Sequence, residues 1–170
     1  MNSPTPTASE LPAVRLKIVR NSSHPWIFQK MVERPAARPP AGSVVDILDR
    51  NGQWTARGFY NGNSGIALRV LTVDPAEAID DAFFERRIDR AIALRRELLK
   101  LDDATNAYRL IHSEGDGLSG LVVDRFGDLL VIEFFTAGMY RFRETIEGVL
   151  RKHFPDCGCY WFAEDHVARQ

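Results

Sequence analysis

Cysteine is nearly absent from this chain of 170 residues: Cys157 and Cys159 are the only two. A C-x-C pair supplies too few ligands for a structural zinc site. On one strand the two thiols would share a face, which is poor geometry for a disulfide. Both are expected to be structural, and no metal site is expected. Long apolar runs are absent too. No stretch approaches the roughly 18 residues needed to cross a bilayer. Residues 1–9 lack the apolar core of a signal peptide, so a cytoplasmic protein with no membrane partner is expected. There is no G-x-S-x-G, no P-loop and no H-E-x-x-H. The sequence therefore offers no complete catalytic apparatus.

What is present is ordinary globular material, 45% hydrophobic and 26% charged. The length suits one good core or two small ones. Residues 1–12 are rich in Ser, Thr and Pro and read as a disordered tail. Residues 14–19 alternate as a strand, with Val14, Leu16 and Ile18 on one face. Residues 25–30 allow one or two helical turns. Residues 43–48 and 53–60 read as strands joined through Asn51-Gly52, a strong hairpin signal. A turn at 62–65 leads to a strand at 66–71. Short strands at this spacing predict a small barrel over residues 13–73.

Residues 73–80 mark a boundary. Asp80 or Asp81 can cap a helix reaching to about Leu101. Its apolar stripe is Phe84, Ile88, Ala91, Ile92, Leu98 and Leu99. A meander of three strands follows, then a helix over 139–153 stopped by Pro155, then a strand over 159–162. The fold class is α+β: an N-terminal barrel followed by an α+β unit over 78–167 that contains an antiparallel meander.

Gly115, Gly117 and Gly120 match G-x-G-x-x-G letter for letter. That motif holds a dinucleotide only where a helix leaves it, because the helix N-terminus supplies the phosphate donors. Here the β-branched run Leu121-Val122-Val123 predicts a departing strand, so the glycines serve tight turns. A nucleotide-using enzyme is the reading this disfavours. Glu114, Asp116, Asp124 and Asp128 cluster around the same meander. Turn hydrogen bonding accounts for Asp116 and Asp128 more simply than catalysis does.

The run Tyr108-Arg109-Leu110-Ile111-His112-Ser113-Glu114-Gly115-Asp116-Gly117-Leu118-Ser119-Gly120-Leu121-Val122-Val123-Asp124 resembles the middle domain of a bacterial family. These are the S-adenosylmethionine-dependent large-subunit (23S) ribosomal RNA cytosine-C5 methyltransferases. His24-Pro25-Trp26-Ile27-Phe28 resembles the opening of that family's PUA domain, an RNA-binding β-barrel. Residues 54–60 and 66–70 resemble later strands of that barrel. The resemblance spans about residues 13–167. Family members usually carry proline where this chain has Ser119, a departure expected to loosen one turn. The resemblance implies ribosomal RNA as partner. It places S-adenosylmethionine and the catalytic cysteine in a Rossmann-like domain beyond residue 170. This chain is thus expected to be the RNA-positioning portion, to hold no cofactor and to be inactive alone. The alternative is a stand-alone RNA-binding adaptor with no catalytic domain.

Charge supports a polyanion partner for the first half. Residues 1–70 hold nine Lys/Arg against four Asp/Glu, whereas residues 71–170 hold thirteen against nineteen. Arg20, Ser23 and His24 offer a cation, a hydroxyl and an imidazole for phosphate contact. Trp26 beside them is either a stacking platform for an unpaired base or, with Phe28, a plug for the barrel end. Arg57 and Arg69 either line a basic surface or pair with carboxylates such as Asp46 or Asp49. The expected RNA-binding set is Arg20, Ser23, His24, Trp26, Arg57 and Arg69. The cations of the long helix, interleaved with acids, read as a solvated face.

Overall fold

The computed structural model describes residues 11–169, so most of the tail expected over 1–12 lies outside the described residues. Five strands form the first sheet: β1 (Ala13–Arg15), β2 (Trp26–Phe28), β3 (Ser43–Leu48), β4 (Trp54–Tyr60) and β5 (Ile66–Thr72), in the order β1-β3-β4-β5-β2. The hairpin turn at Asn51-Gly52 is held by Asp49, whose Oδ1 accepts from the amides of Asn51 and Gln53. Residues 26–28, expected as helical, instead pair antiparallel with β5.

The two edges of this sheet meet. Just after β2, the Met31 carbonyl accepts from Lys17 N at 2.8 Å, and Glu33 N donates to Arg15 O at 2.9 Å. A bridge between Leu16 and Val32 lies between these bonds. This seam curls the sheet toward a barrel around Val14, Leu16, Ile27, Ile47, Ala56 and Leu68, all buried. Strand β1 is thus shorter than the periodicity predicts, and Ile18 is exposed.

The second sheet has the order β6-β7-β8-β9, built from β6 (Ala107–His112), β7 (Leu121–Phe126), β8 (Leu129–Phe134) and β9 (Gly158–Ala163). The meander β6-β7-β8 is antiparallel, while β9 runs parallel to β8. A parallel neighbour requires a crossover, here made by α2 (Ala137–Arg141) and α3 (Arg143–His153). These two replace the single helix expected, with a break at Phe142. A four-residue helix, α4 (Asp165–Ala168), follows β9.

Helix α1 (Asp81–Ala93) begins as its cap predicts: the Asp80 side chain accepts from Phe83 N at 2.9 Å. Phe83, Phe84, Ile88, Ala91 and Ile92 are buried against the second sheet. Leu98 and Leu99 are exposed instead of continuing the stripe. After Ala93 the chain winds more loosely, with Leu99 N bonding to Leu94 O, and this wider turn rotates them off the buried face. Phe59 of β4 and Leu71 of β5 are buried in the second core, so the two sheets share side chains.

Candidate nucleic-acid interface

The segment that joins β1 to β2 is organised by its own polar groups. Arg20 Nη2 donates to the His24 carbonyl at 2.9 Å. Ser22 Oγ accepts from His24 N at 3.1 Å, and His24 Nδ1 accepts from Trp26 N at 3.1 Å. Ser23 and His24 are exposed, and Arg20 is half-buried. Burial pushes the Arg20 pKa down from its ordinary value. This loop is a preformed surface feature whose cation, hydroxyl and imidazole lie within five residues.

Trp26 anchors the loop. Its ring meets the His24 ring edge-on at 5.2 Å, and the Arg69 guanidinium lies over it at 5.0 Å. Its Nε1 donates to Glu114 Oε1 at 2.7 Å. The same carboxylate oxygen accepts from Arg69 Nη1 at 3.0 Å and from Ser119 Oγ at 2.7 Å. Arg69 Nη1 also reaches Ser119 Oγ at 3.2 Å. Trp26 is therefore neither an open platform nor a plug, but half-buried and held by its edge. Phe28 is exposed.

Burial alone would raise the Glu114 pKa. Hydrogen bonds from Ser119, Ser113, Trp26 and its own backbone N–H overcome that and hold it at about 2. For Arg69 burial lowers the pKa, and the Glu114 charge works against that shift. Ser119 is buried and ties the turn to Arg69, whereas the sequence suggested only a looser turn. Glu114 and Ser119 were not expected partners of Trp26 and Arg69. Separations of 88 and 45 residues leave no local pattern to find them by.

Arg57 is not part of this surface. It is buried, with Nε donating to Asp46 Oδ1 at 2.9 Å and Nη1 to the Glu77 carbonyl at 2.7 Å. The Trp54 indole donates to the same Asp46 oxygen. Of the two possibilities that the sequence left open for Arg57, geometry selects the carboxylate pair.

The glycine turn fits no dinucleotide. Strand β6 enters it and β7 leaves it, with a short helical turn at Ser113–Asp116 and a second turn closed by Leu121 N on Leu118 O between them. Gly117 and Gly120 adopt φ of 70° and 97°, which glycine accommodates without strain. The chain leaves the turn as a strand, so no helix follows the glycines directly to hold a phosphate as the dinucleotide motif requires. The nearby carboxylates are engaged as well. Asp116 accepts from His112 N and pairs with Arg95, and Asp124 holds Arg109 through two bonds. Among the described residues no group of three or more His, Cys, Asp or Glu is placed to hold a metal. Cys157 is buried and Cys159 half-buried, both free, and burial pushes the Cys159 thiol up. No helix among the described residues is long and apolar enough to cross a membrane.

Comparison with known proteins adds context to this geometry. Residues 20–73 match the PUA-like domain family. The chain is 44% identical over 137 residues to ribosomal RNA large subunit methyltransferase I of Klebsiella pneumoniae, covering 81% of this chain and 34% of that protein. The protein of the same name from Escherichia coli SMS-3-5 is 43% identical over the same shares. The chain thus spans about a third of the length of the curated relatives it matches. Among solved structures, a Streptococcus mutans protein described as a SAM-dependent methyltransferase superposes with TM-score 0.71 at 14% identity. It covers 90% of this chain and 41% of that one. SMU.776, crystallised with SAH, gives TM-score 0.72 at 16% identity, covering 92% and 40%. At such identities these two establish the shared fold alone.

Proposed function

We propose, from the relation of this chain to the N-terminal part of the large-subunit ribosomal RNA methyltransferases, that it grips ribosomal RNA and positions it for S-adenosylmethionine-dependent methyl transfer. The methyl-transfer chemistry is assigned to the part of the relatives that this chain does not span. The proposed site of action is the cytoplasm, where ribosomal RNA is found.

The observation that carries this reading is where uncompensated charge lies. Of the nine cations in residues 1–70, only Arg57 and Arg69 pair with a carboxylate among the described residues. In residues 71–170 at least nine of thirteen are paired. Cations already neutralised within the fold have little left for phosphate, whereas those of the barrel are available. Arg20, Ser23 and His24 form the proposed contact loop. Trp26 and Arg69 support it from beneath, and Arg57 has no direct part.

The test is binding of the chain to a structured ribosomal RNA fragment across a salt series, beside Arg20→Ala and His24→Ala. Affinity should fall steeply with salt, and Arg20→Ala should weaken binding and reduce the salt slope by about one. No binding at low salt would sink the proposal.

A further inference from the structure

A second group of uncommitted cations lies at the barrel seam, outside the loop described above. Lys17, Arg34 and Arg38 line one cleft of about 330 Å³ together with Gln29, Tyr60 and Gly62. Among the described residues Glu33 is the only carboxylate in its wall, which leaves an excess of two positive charges there. All three cations are exposed, and none makes an ion pair among the described residues. Lys17 is placed by the seam bond to Met31, and Arg34 follows directly after Glu33, whose N–H closes the seam on Arg15.

Arg38 is aimed rather than loose. Its Nη2 donates to Asn63 Oδ1 at 2.8 Å, a neutral partner that orients the guanidinium without cancelling its charge. Gly62 makes this possible: a methyl group there would come within 2.5 Å of Arg38 Nε and would also overlap the Tyr60 hydroxyl. Gln29 is fixed in turn by donating to the Gly62 carbonyl at 3.2 Å. The cleft therefore combines planar guanidinium forks, an ammonium, an amide and a phenol, the donor set that phosphate oxygens use.

We infer that this seam cleft binds a phosphodiester of the RNA backbone, as a second contact on the same RNA that the Arg20 loop holds. The inference rests on the RNA-positioning reading above. Lys17 and Arg20 are three residues apart, at most about 10 Å along the chain. One RNA strand can therefore touch both.

The experiment measures RNA affinity against salt for the full chain, for Lys17→Ala/Arg34→Ala, for Gly62→Ala and for Arg20→Ala, with circular dichroism to verify folding. The double variant should bind at least about tenfold more weakly and lose about two from the salt slope, since each cation releases about one counterion. Gly62→Ala, which keeps every charge but displaces Arg38, should weaken binding several-fold. If Arg20→Ala weakens binding while the double variant keeps full affinity and slope, the seam site is wrong and the broader reading stands. If the unaltered chain binds no RNA, both fall. Duplex DNA of the same length bound as tightly, and weakened equally by the double variant, would overturn the assignment to RNA.

Discussion

The indole of Trp26 and the carboxylate of Glu114, 88 positions apart, meet in a 2.7 Å hydrogen bond. Arg69 and Ser119 close on the same oxygen. Strands β2 and β5 of the first sheet are thereby pinned to the turn that precedes β7 of the second. The Glu114 carboxylate thus joins the surface proposed to hold RNA to the second sheet.

Glu114→Gln keeps the shape of this junction and removes its charge. Hydrogen bonds to a charged group contribute roughly 1.5–3 kcal/mol when part-buried, and the amide retains some of them. Stability at neutral pH should fall by about 1–2 kcal/mol, read from urea unfolding.

The same group sets an acid limit. With its folded pKa at about 2 and its ordinary value at 4.5, the Glu114 contribution is complete above about pH 4.5. It declines as pH falls from there toward 2. The stability difference between the unaltered chain and Glu114→Gln should shrink across that window. A gap that stays constant down to pH 2.5 would show that the charge is not responsible.

Arg57→Ala should be costly for folding but neutral for RNA. It takes the Arg57 guanidinium away from the buried Asp46 carboxylate. Breaking a buried pair in this way costs about 3–5 kcal/mol. Denaturant titration measures the loss. RNA affinity per folded molecule, measured at low temperature, should match that of the unaltered chain.

Phe59→Ala tests the shared core. Phe59 lies on β4 yet packs in the second core, 6.1 Å from the Phe142 ring. Truncation should cost about 3–5 kcal/mol. Because the sheets share this ring, tryptophan fluorescence and far-ultraviolet circular dichroism should report one coincident unfolding transition rather than two.

Features with local causes were legible in the sequence. Asp80 capping α1, the Asn51-Gly52 turn and the β-branched run that makes β7 each depend on residues a few positions apart. The departing strand after Gly120 could be read from Val122 and Val123, and it removes the dinucleotide reading. Tertiary features were not legible. The looser turn after Ala93 exposes Leu98 and Leu99 although both fit the helical stripe. The pairing of β2 with β5 overrides a segment short enough to read as a turn of helix. The Arg20–His24 loop could be proposed from residue type, but the burial of Arg57 beside Asp46 depends on which way β4 faces. Lys17, Arg34 and Arg38 escaped notice because their meeting place exists only once the barrel closes.

That Phe59 and Glu114 bind the two sheets together has a geometric consequence. An RNA gripped at the barrel, as proposed, would sit at a reach and bearing from the second sheet that these shared contacts set. On that reading the two sheets would work as a caliper, singling out a nucleotide by how far it lies from the gripped phosphates, with no need for the gripping surface to read a single base.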